Sequence, residues 1–169
     1  MQSVLTRTES TLRTCSFAAA FLPDRFDWLM GLYAENHRRL ARLFAPERLA
    51  VGEFVSSVDD GLDVRLSVQE RHPYTLELGL SYAVLDATTG HPAPSAQLRS
   101  YLDAHMTEAL HCEPGRDLWQ VLGPLAPARN VVLHRLRMNR FLNRWLEYLA
   151  EQGHSLATLE RVLPESVVA

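Results

Sequence analysis

The sequence predicts an α+β domain in which an antiparallel sheet of four to six strands packs against an N-terminal helix and a long C-terminal helix. Near each end of the chain, apolar residues recur every three or four positions, a period typical of amphipathic helices. Between residues 51 and 85, apolar and polar residues alternate, which is typical of strands buried on one face. Such a sheet needs a cover for its apolar face, and the two helices supply it.

The N-terminal helix is predicted to begin near Asp24 and to end before Pro46. Its apolar positions lie three or four residues apart and include Met30, Tyr33 and Leu40. Asp24 is a suitable N-cap, and a proline does not continue a helix. The helix is therefore expected to turn one apolar stripe toward the sheet.

The length and composition indicate one ordinary globular domain. The chain has 169 residues, of which 47% are hydrophobic and 22% charged, so collagen-like, disordered and disulfide-framework proteins are excluded. Residues 1–22 are rich in Ser, Thr and Ala and show no clear period, so we interpret them as a loose tail or an over-extended gene start. Residues 23–169 are interpreted as a single α+β domain.

The predicted sheet begins with a strand near residues 53–58. Two further strands are predicted over residues 62–68 and 74–82, where apolar and polar residues alternate. Turn-forming residues at 59–61 and 72–73 separate these strands. The simplest arrangement is therefore an antiparallel meander.

The C-terminal helix is predicted over residues 130–152 and ends at Gly153, a suitable C-terminal cap. Before it, residues 113–116 are predicted to form a turn, and residues 118–122 a short apolar element. After it, residues 155–163 are predicted to form one short helix.

Charge and cysteine content limit the classes of partner. The formal net charge of −3 gives no global attraction to nucleic acid or anionic membranes, although a local basic face is compatible with it. Cys15 and Cys112 cannot form a disulfide framework or a four-cysteine zinc site, so a reducing compartment fits best, and Cys112 is expected to be a buried, inert thiol. The apolar stretch 16–22 is too short to span a bilayer and makes a poor signal peptide. We therefore expect a cytoplasmic protein with no membrane partner.

Residues 97–112 fit two structures. Periodicity alone favours a helix, because Leu98, Leu102 and Met106 are four residues apart and Ser95 is a suitable cap. A hairpin of two strands is the other interpretation.

Three segments of the chain carry a resemblance to known sequences. The first holds Leu29, Met30, Tyr33, Glu35, Asn36, Arg39, Leu40 and Leu43; the second holds Pro94, Ser95, Leu98, Arg99, Tyr101, Asp103, Ala104 and Glu108; the third holds Asn139, Phe141, Leu142, Trp145, Leu146, Tyr148 and Gly153. In their order and spacing they resemble the YqiB-like proteins (DUF1249), a bacterial family of unknown function. The resemblance therefore implies no known activity.

The resemblance favours the hairpin over residues 97–112, because the second segment matches a family signature that reads better as strands. One face of such a strand carries Leu98, Ser100 and Leu102, and the other carries Arg99, Tyr101 and Asp103. The chain departs from the signature at Leu102, where the family has histidine, so no role for that histidine carries over.

Arg99, Tyr101 and Asp103 are the first candidate site and are predicted to bind a ligand. A guanidinium in this row can bind an anion, and the phenol can stack or form a hydrogen bond. Asp103 and Glu108 are the candidate catalytic residues, as acid or base. The structural alternative is that Arg99 pairs with a carboxylate on a neighbouring strand, such as Glu108. No motif typical of a metal or cofactor site is found, so neither is expected.

The C-terminal helix carries the second candidate site, a basic patch of Arg137, Arg140 and Arg144. Their spacing of i, i+3 and i+7 puts them on one helical face. Such a patch can bind RNA, a nucleotide or an acidic protein, or it can be a solvated outer face. The aromatic residues of the same helix are expected in the core, and they are Phe141, Trp145 and Tyr148.

Three hypotheses about function follow. The first is a non-catalytic binding or adaptor module that uses the Arg-rich helix face. The alternative is a small enzyme acting on a phosphorylated or nucleotide-like substrate, with Arg99 as anion binder and Asp103 or Glu108 as acid/base. The third is a structural homodimer that forms through an exposed sheet edge.

Overall fold

Two long helices lie before and after a series of five strands, and a sixth, short strand follows the second helix. In the computed structural model, which describes residues 6–59, 61–85, 87–88, 90–92, 94–113 and 126–163, helix α1 spans Thr6–Phe44 and helix α2 spans Ala128–Glu151. The first helix ends two residues before Pro46, as predicted. Neither of these helices, over the residues described, is long and apolar enough to cross a bilayer.

Within the described residues, six strands form one antiparallel sheet with the order β5-β4-β3-β2-β1-β6. The strands are β1 (Gly52–Ser56), β2 (Val64–Arg71), β3 (Thr75–Tyr82), β4 (Ser95–Tyr101), β5 (Met106–Glu113) and β6 (Leu159–Val162). The predicted α+β fold is confirmed, and so is the strand hairpin over residues 97–112.

The alternating pattern of the strands separates the two faces of the sheet. In β3, Leu76, Leu78 and Leu80 are buried, while the residues between them are only partly buried. The buried strand residues form one core cluster with Phe44 of α1 and Leu142 of α2. We call the opposite face the outer face, and its residues include Arg65, Ser67, Gly79, Ser81, Gln97 and Arg99.

Helix α1 begins at Thr6, so the prediction that it begins near Asp24 is wrong. The sequence over residues 18–20 is three alanines, and alanine has the highest helix propensity while adding nothing to an apolar period. The period reports which face of a helix is buried and does not report where the helix begins. The division of the chain into a tail over 1–22 and a domain over 23–169 stays a prediction.

The segment after α2 differs from the short helix predicted over residues 155–163. One 3-10 turn, Leu156–Thr158, is followed by β6, which pairs with β1. Ser155 and Thr158 make the contacts of a helix start, with the Ser155 amide donating to Thr158 Oγ1 at 3.0 Å, but the chain then continues as a strand because residues 159–162 pair with β1. Beyond Glu113, the predicted turn at 113–116 and the apolar element at 118–122 lie outside the described residues.

Candidate functional site

The exposed side of α2 carries the predicted basic patch. Arg137, Arg140 and Arg144 are all exposed and lie on one face of the helix. Among the described residues, no carboxylate lies within 4.0 Å of Arg137 or Arg140. The nearest carboxylate oxygen to Arg144 is that of Glu147, 3.9 Å from Nη1. These guanidinium groups are therefore available to an anionic ligand.

Two aromatic rings are exposed on the same face. Phe141 is 41% exposed and Tyr148 is 49% exposed, so the prediction that both pack in the core is wrong. Each residue directly precedes a buried leucine, Leu142 or Leu149, and one position along a helix turns the side chain about 100° around the axis. The third predicted core aromatic, Trp145, is buried as expected.

Trp28 of α1 extends this face. The exposed indole ring lies 5.5 Å from Cζ of Arg140 and 5.5 Å from Cζ of Arg25. These distances suit cation–π contacts, which hold the Arg140 side chain beside the Trp28 ring. We call the set of Trp28, Arg137, Arg140, Phe141, Arg144 and Tyr148 the arginine–aromatic face.

Arg99 lies on the outer face of the sheet and pairs with an acidic residue. Its Nε donates to Glu77 Oε1 at 2.5 Å, across the β3–β4 ladder in which the two residues are directly opposite. The bond to the Glu77 carboxylate raises the pKa of Arg99. The carboxylate partner is thus Glu77, whereas Glu108, which stands opposite Arg99 on β5, has other partners.

Glu108 is the most enclosed carboxylate of this region, with 7% of its surface exposed. Its oxygens accept hydrogen bonds from Arg135 Nη1 at 2.5 Å, from the Tyr101 hydroxyl at 2.8 Å and from the Tyr33 hydroxyl at 3.1 Å. Burial, together with the negative charge of Glu108, raises the pKa of Tyr33 to about 12. The cluster therefore places the Glu108 carboxylate between one guanidinium group and two phenol groups.

Asp103 lies in the turn between β4 and β5 and is exposed. Its Oδ1 accepts a hydrogen bond from the Ala104 amide at 2.9 Å. The three predicted residues therefore have separate partners. Tyr101 is hydrogen-bonded to Glu108, Arg99 forms an ion pair with Glu77, and Asp103 is hydrogen-bonded within its own turn. The ligand-binding role of Arg99, Tyr101 and Asp103 and the acid/base role of Asp103 and Glu108 stay predictions.

Sequence reasoning missed a set of buried polar residues between the helices and the β4–β5 hairpin. Asn36 and Asn139 have no exposed surface, and the Asn36 amide donates to Asn139 Oδ1 at 3.3 Å. His37 Nδ1 lies 3.2 Å from Thr107 Oγ1, and burial lowers the pKa of this histidine. The signal in the sequence was the position of Asn36 and His37 on the apolar side of a helix, where polar residues need partners.

Comparison with known proteins gives a family and no activity. No curated protein matches the chain, and no solved structure matches it. One sequence family, described as Protein of unknown function (DUF1249), matches residues 39–155. This match includes α2, β1 to β5 and the end of α1, and so it covers Glu108 and the three arginines of the basic patch. The chain therefore belongs to the DUF1249 family of proteins of unknown function.

Proposed function

We propose that this protein is a non-catalytic binding module of the bacterial cytoplasm that holds single-stranded RNA on its arginine–aromatic face. The observation that carries the proposal is the presence of Phe141 and Tyr148, both exposed, among three exposed arginines on one face of α2. The cytoplasmic placement rests on the sequence, whose two cysteines suit a reducing compartment.

The arginines supply the contacts to phosphate. A guanidinium presents several donors in one plane and binds phosphate oxygens in a bidentate manner. Arg137 and Arg144 are seven positions apart, so they are separated by roughly 10 Å along the helix axis. This spacing allows them to contact separate phosphates of one strand.

The aromatic rings supply the contacts to bases. Base–aromatic stacking contributes about 1–3 kcal/mol per base and tolerates any sequence, because every base has a π-face. Phe141 and Tyr148 lie two turns apart and are open to solvent on the same side of α2 as the arginines. RNA uses both features at once, because its phosphates pair with the arginines and its bases stack on the rings.

The competing enzyme hypothesis has less support. Its anion binder, Arg99, has its Nε bound to Glu77 at 2.5 Å. Its candidate base, Glu108, accepts three hydrogen bonds and is almost completely buried. A binding role that uses exposed groups therefore agrees better with the geometry.

The test is the fluorescence anisotropy of a labelled 12-nucleotide RNA of mixed sequence, titrated with the full chain between 50 and 300 mM salt. Three phosphate contacts predict that log K falls with log salt with a slope of roughly −2. The variant R137A/R140A/R144A should lose most of the affinity and most of the salt dependence. The matched control R38A/R48A/R42A removes the same charge from exposed arginines of other surfaces and should bind as the unmodified protein does.

The rings are tested separately. The variant F141A/Y148A should bind at least about tenfold more weakly, since each lost stacking contact contributes about 1–3 kcal/mol. Tyr74 is 66% exposed on the β2–β3 turn, so Y74A is the aromatic control. Equal RNA binding by the arginine variant and its control would contradict the proposal. Capture of an acidic protein and not of RNA would support an adaptor role instead.

A further inference from the structure

A hollow of about 350 Å³ lies on the outer face of the sheet, on a different surface from the arginine–aromatic face. Four strands, β2 to β5, form its floor and walls, and the loop residues His91 and Pro92 lie at its rim. Its volume is within the range of small-molecule sites, about 300–1,000 Å³.

Small side chains make the floor. In one row across the sheet, Ser81 stands beside Ser95, and in the next row Ser67 stands beside Gly79. A Cβ at Gly79 would lie 2.5 Å from Ser67 Oγ and 3.1 Å from Gln69 Nε2, so these polar groups lean over the glycine. A glycine in a central strand weakens the strand and often marks a place where another group approaches the backbone closely.

A pair of amides borders the hollow. Gln97 Nε2 donates to Gln69 Oε1 at 2.5 Å, and Gln69 Nε2 donates to Gln97 Oε1 at 3.3 Å. The two side chains come from β2 and β4 and meet over β3 because Gly79 leaves the space between them. Gln69 Nε2 also donates to Ser67 Oγ at 3.4 Å, whereas Gln97 keeps a second N–H, and the oxygen of each amide keeps a second lone pair that can accept from a hydroxyl group.

Charged groups stand at opposite ends of the first row. Arg65 is at one end and Glu113 at the other, with Ser81 and Ser95 between them. Strands are spaced about 4.8 Å apart, so the row is roughly 14 Å long. Arg65 is exposed, and among the described residues no carboxylate lies within 4.0 Å of its guanidinium. The hollow thus offers a cation at one end, a carboxylate at the other, and hydroxyl and amide groups between them.

We propose that this hollow binds a small hydroxylated anion of the sugar-phosphate class. The anionic group pairs with Arg65, and the hydroxyl groups bind the serine floor and the Gln69–Gln97 amides. Among the lining residues, an arginine, three serines and two glutamines supply polar groups that suit a hydroxylated anion. The site shares no residue with the arginine–aromatic face, so it stands or fails independently of RNA binding.

The test is isothermal titration calorimetry of the full chain with four compounds: ribose 5-phosphate, glucose 6-phosphate, ribose and inorganic phosphate. A sugar phosphate should bind at least tenfold more tightly than ribose or phosphate. R65Q should lose most of that difference, and S81L, which fills the floor from a strand position open to solvent, should abolish binding. The controls are R48Q, an exposed arginine elsewhere, and T75L, which lies on the same face of β3 outside the hollow. Both should bind as the unmodified protein does.

Other results overturn the proposal. The proposal is wrong if neither sugar phosphate binds at millimolar concentration, or if inorganic phosphate binds as tightly as a sugar phosphate. It is also wrong if S81L binds sugar phosphate as tightly as the unmodified protein does. A loss of binding in R48Q and T75L as large as that in R65Q would also overturn it. R137A/R140A/R144A should bind sugar phosphate normally, which separates a failure of this site from a failure of the RNA proposal. Circular dichroism of each variant checks that the fold is retained.

Discussion

The side chain of Asn139 in α2 accepts a hydrogen bond from the backbone amide of Ala109 in β5 at 2.8 Å. A backbone amide of the edge strand therefore bonds to a helix side chain, whereas strand amides ordinarily bond to the carbonyl groups of a neighbouring strand. Asn139 Nδ2 donates to the Arg135 carbonyl at 2.9 Å, and Asn36 donates to Asn139 Oδ1. One fully buried side chain therefore joins α1, α2 and β5.

Replacing Asn139 with alanine should lower the free energy of unfolding by about 2 kcal/mol, because the buried Ala109 amide loses its acceptor and the Asn36 amide keeps only the backbone carbonyl of residue 139. Asn139→Asp should cost more, since it buries a charge beside a backbone carbonyl. Urea unfolding followed by circular dichroism measures both. Asn143 is partly exposed and donates a single bond to Asn36, so Asn143→Ala is the control. A smaller loss for Asn139→Ala than for Asn143→Ala would refute this account.

Removing the Glu108 carboxylate should destabilise the fold through Arg135. In Glu108→Ala the guanidinium and the Tyr33 hydroxyl lose their acceptor, and the loss should be about 2 kcal/mol because Arg135 keeps some contact with solvent. Glu108→Gln retains an acceptor and should lose less. Glu77→Ala breaks the more exposed pair with Arg99 and should cost under about 1 kcal/mol. Chemical denaturation of the three variants gives the order, and a reversed order would contradict it.

Acid should destabilise the protein in part through His154. This residue is buried, its Nδ1 lies 2.8 Å from Ser56 Oγ, and burial lowers its pKa below the ordinary 6.5, an effect that Asp63 partly offsets. A depressed pKa in the folded state favours the neutral ring, so this contribution to stability is complete above pH 6.5 and is lost as the pH falls through the lower folded pKa. The free energy of unfolding should therefore fall between neutral pH and pH 5. His154→Asn should reduce that slope, and an unchanged slope would exclude the role.

Cys112 should be inert to thiol reagents in the folded protein. It is buried on the helix-facing side of β5, and burial raises its pKa to about 12. The thiolate, which is the reactive form, is therefore scarce at pH 8. In a Cys15→Ser background, a chromogenic disulfide should label Cys112 only after urea unfolding. Rapid labelling without urea would show that the thiol is accessible.

The parts of the fold that could be predicted from sequence are those fixed by local pattern. The strands β2 and β3 follow from alternation over about eight residues, because one face of each strand is buried. The strand β6 was missed because four residues, Leu159–Val162, are too few to show a period, and because the strand forms only against β1, far away in the sequence.

In the candidate site, too, the features that could be predicted are those fixed by local sequence pattern. The spacing of Arg137, Arg140 and Arg144 predicts their common face, since a helix fixes it locally. The exposure of Phe141 depends on how far α1 and the sheet extend around α2, which the period does not encode. The bond between Tyr33 and Glu108 joins residues 75 positions apart, and such a contact exists only after the chain has folded.

The pairing of β6 with β1 has a consequence for the order in which the chain folds. Ser56 Oγ and Thr158 Oγ1 meet at 2.6 Å although they are 102 positions apart, whereas β2 and β3 are joined by a tight turn. The entropy of closing a loop grows with its length, so β6 is expected to dock last and to detach first. While it is detached, the edge of β1 is open to the β6 of a second copy, and exchange of this strand would link two molecules. The equilibrium between the monomer and a strand-exchanged dimer then depends on the four residues of β6 at one edge of the sheet.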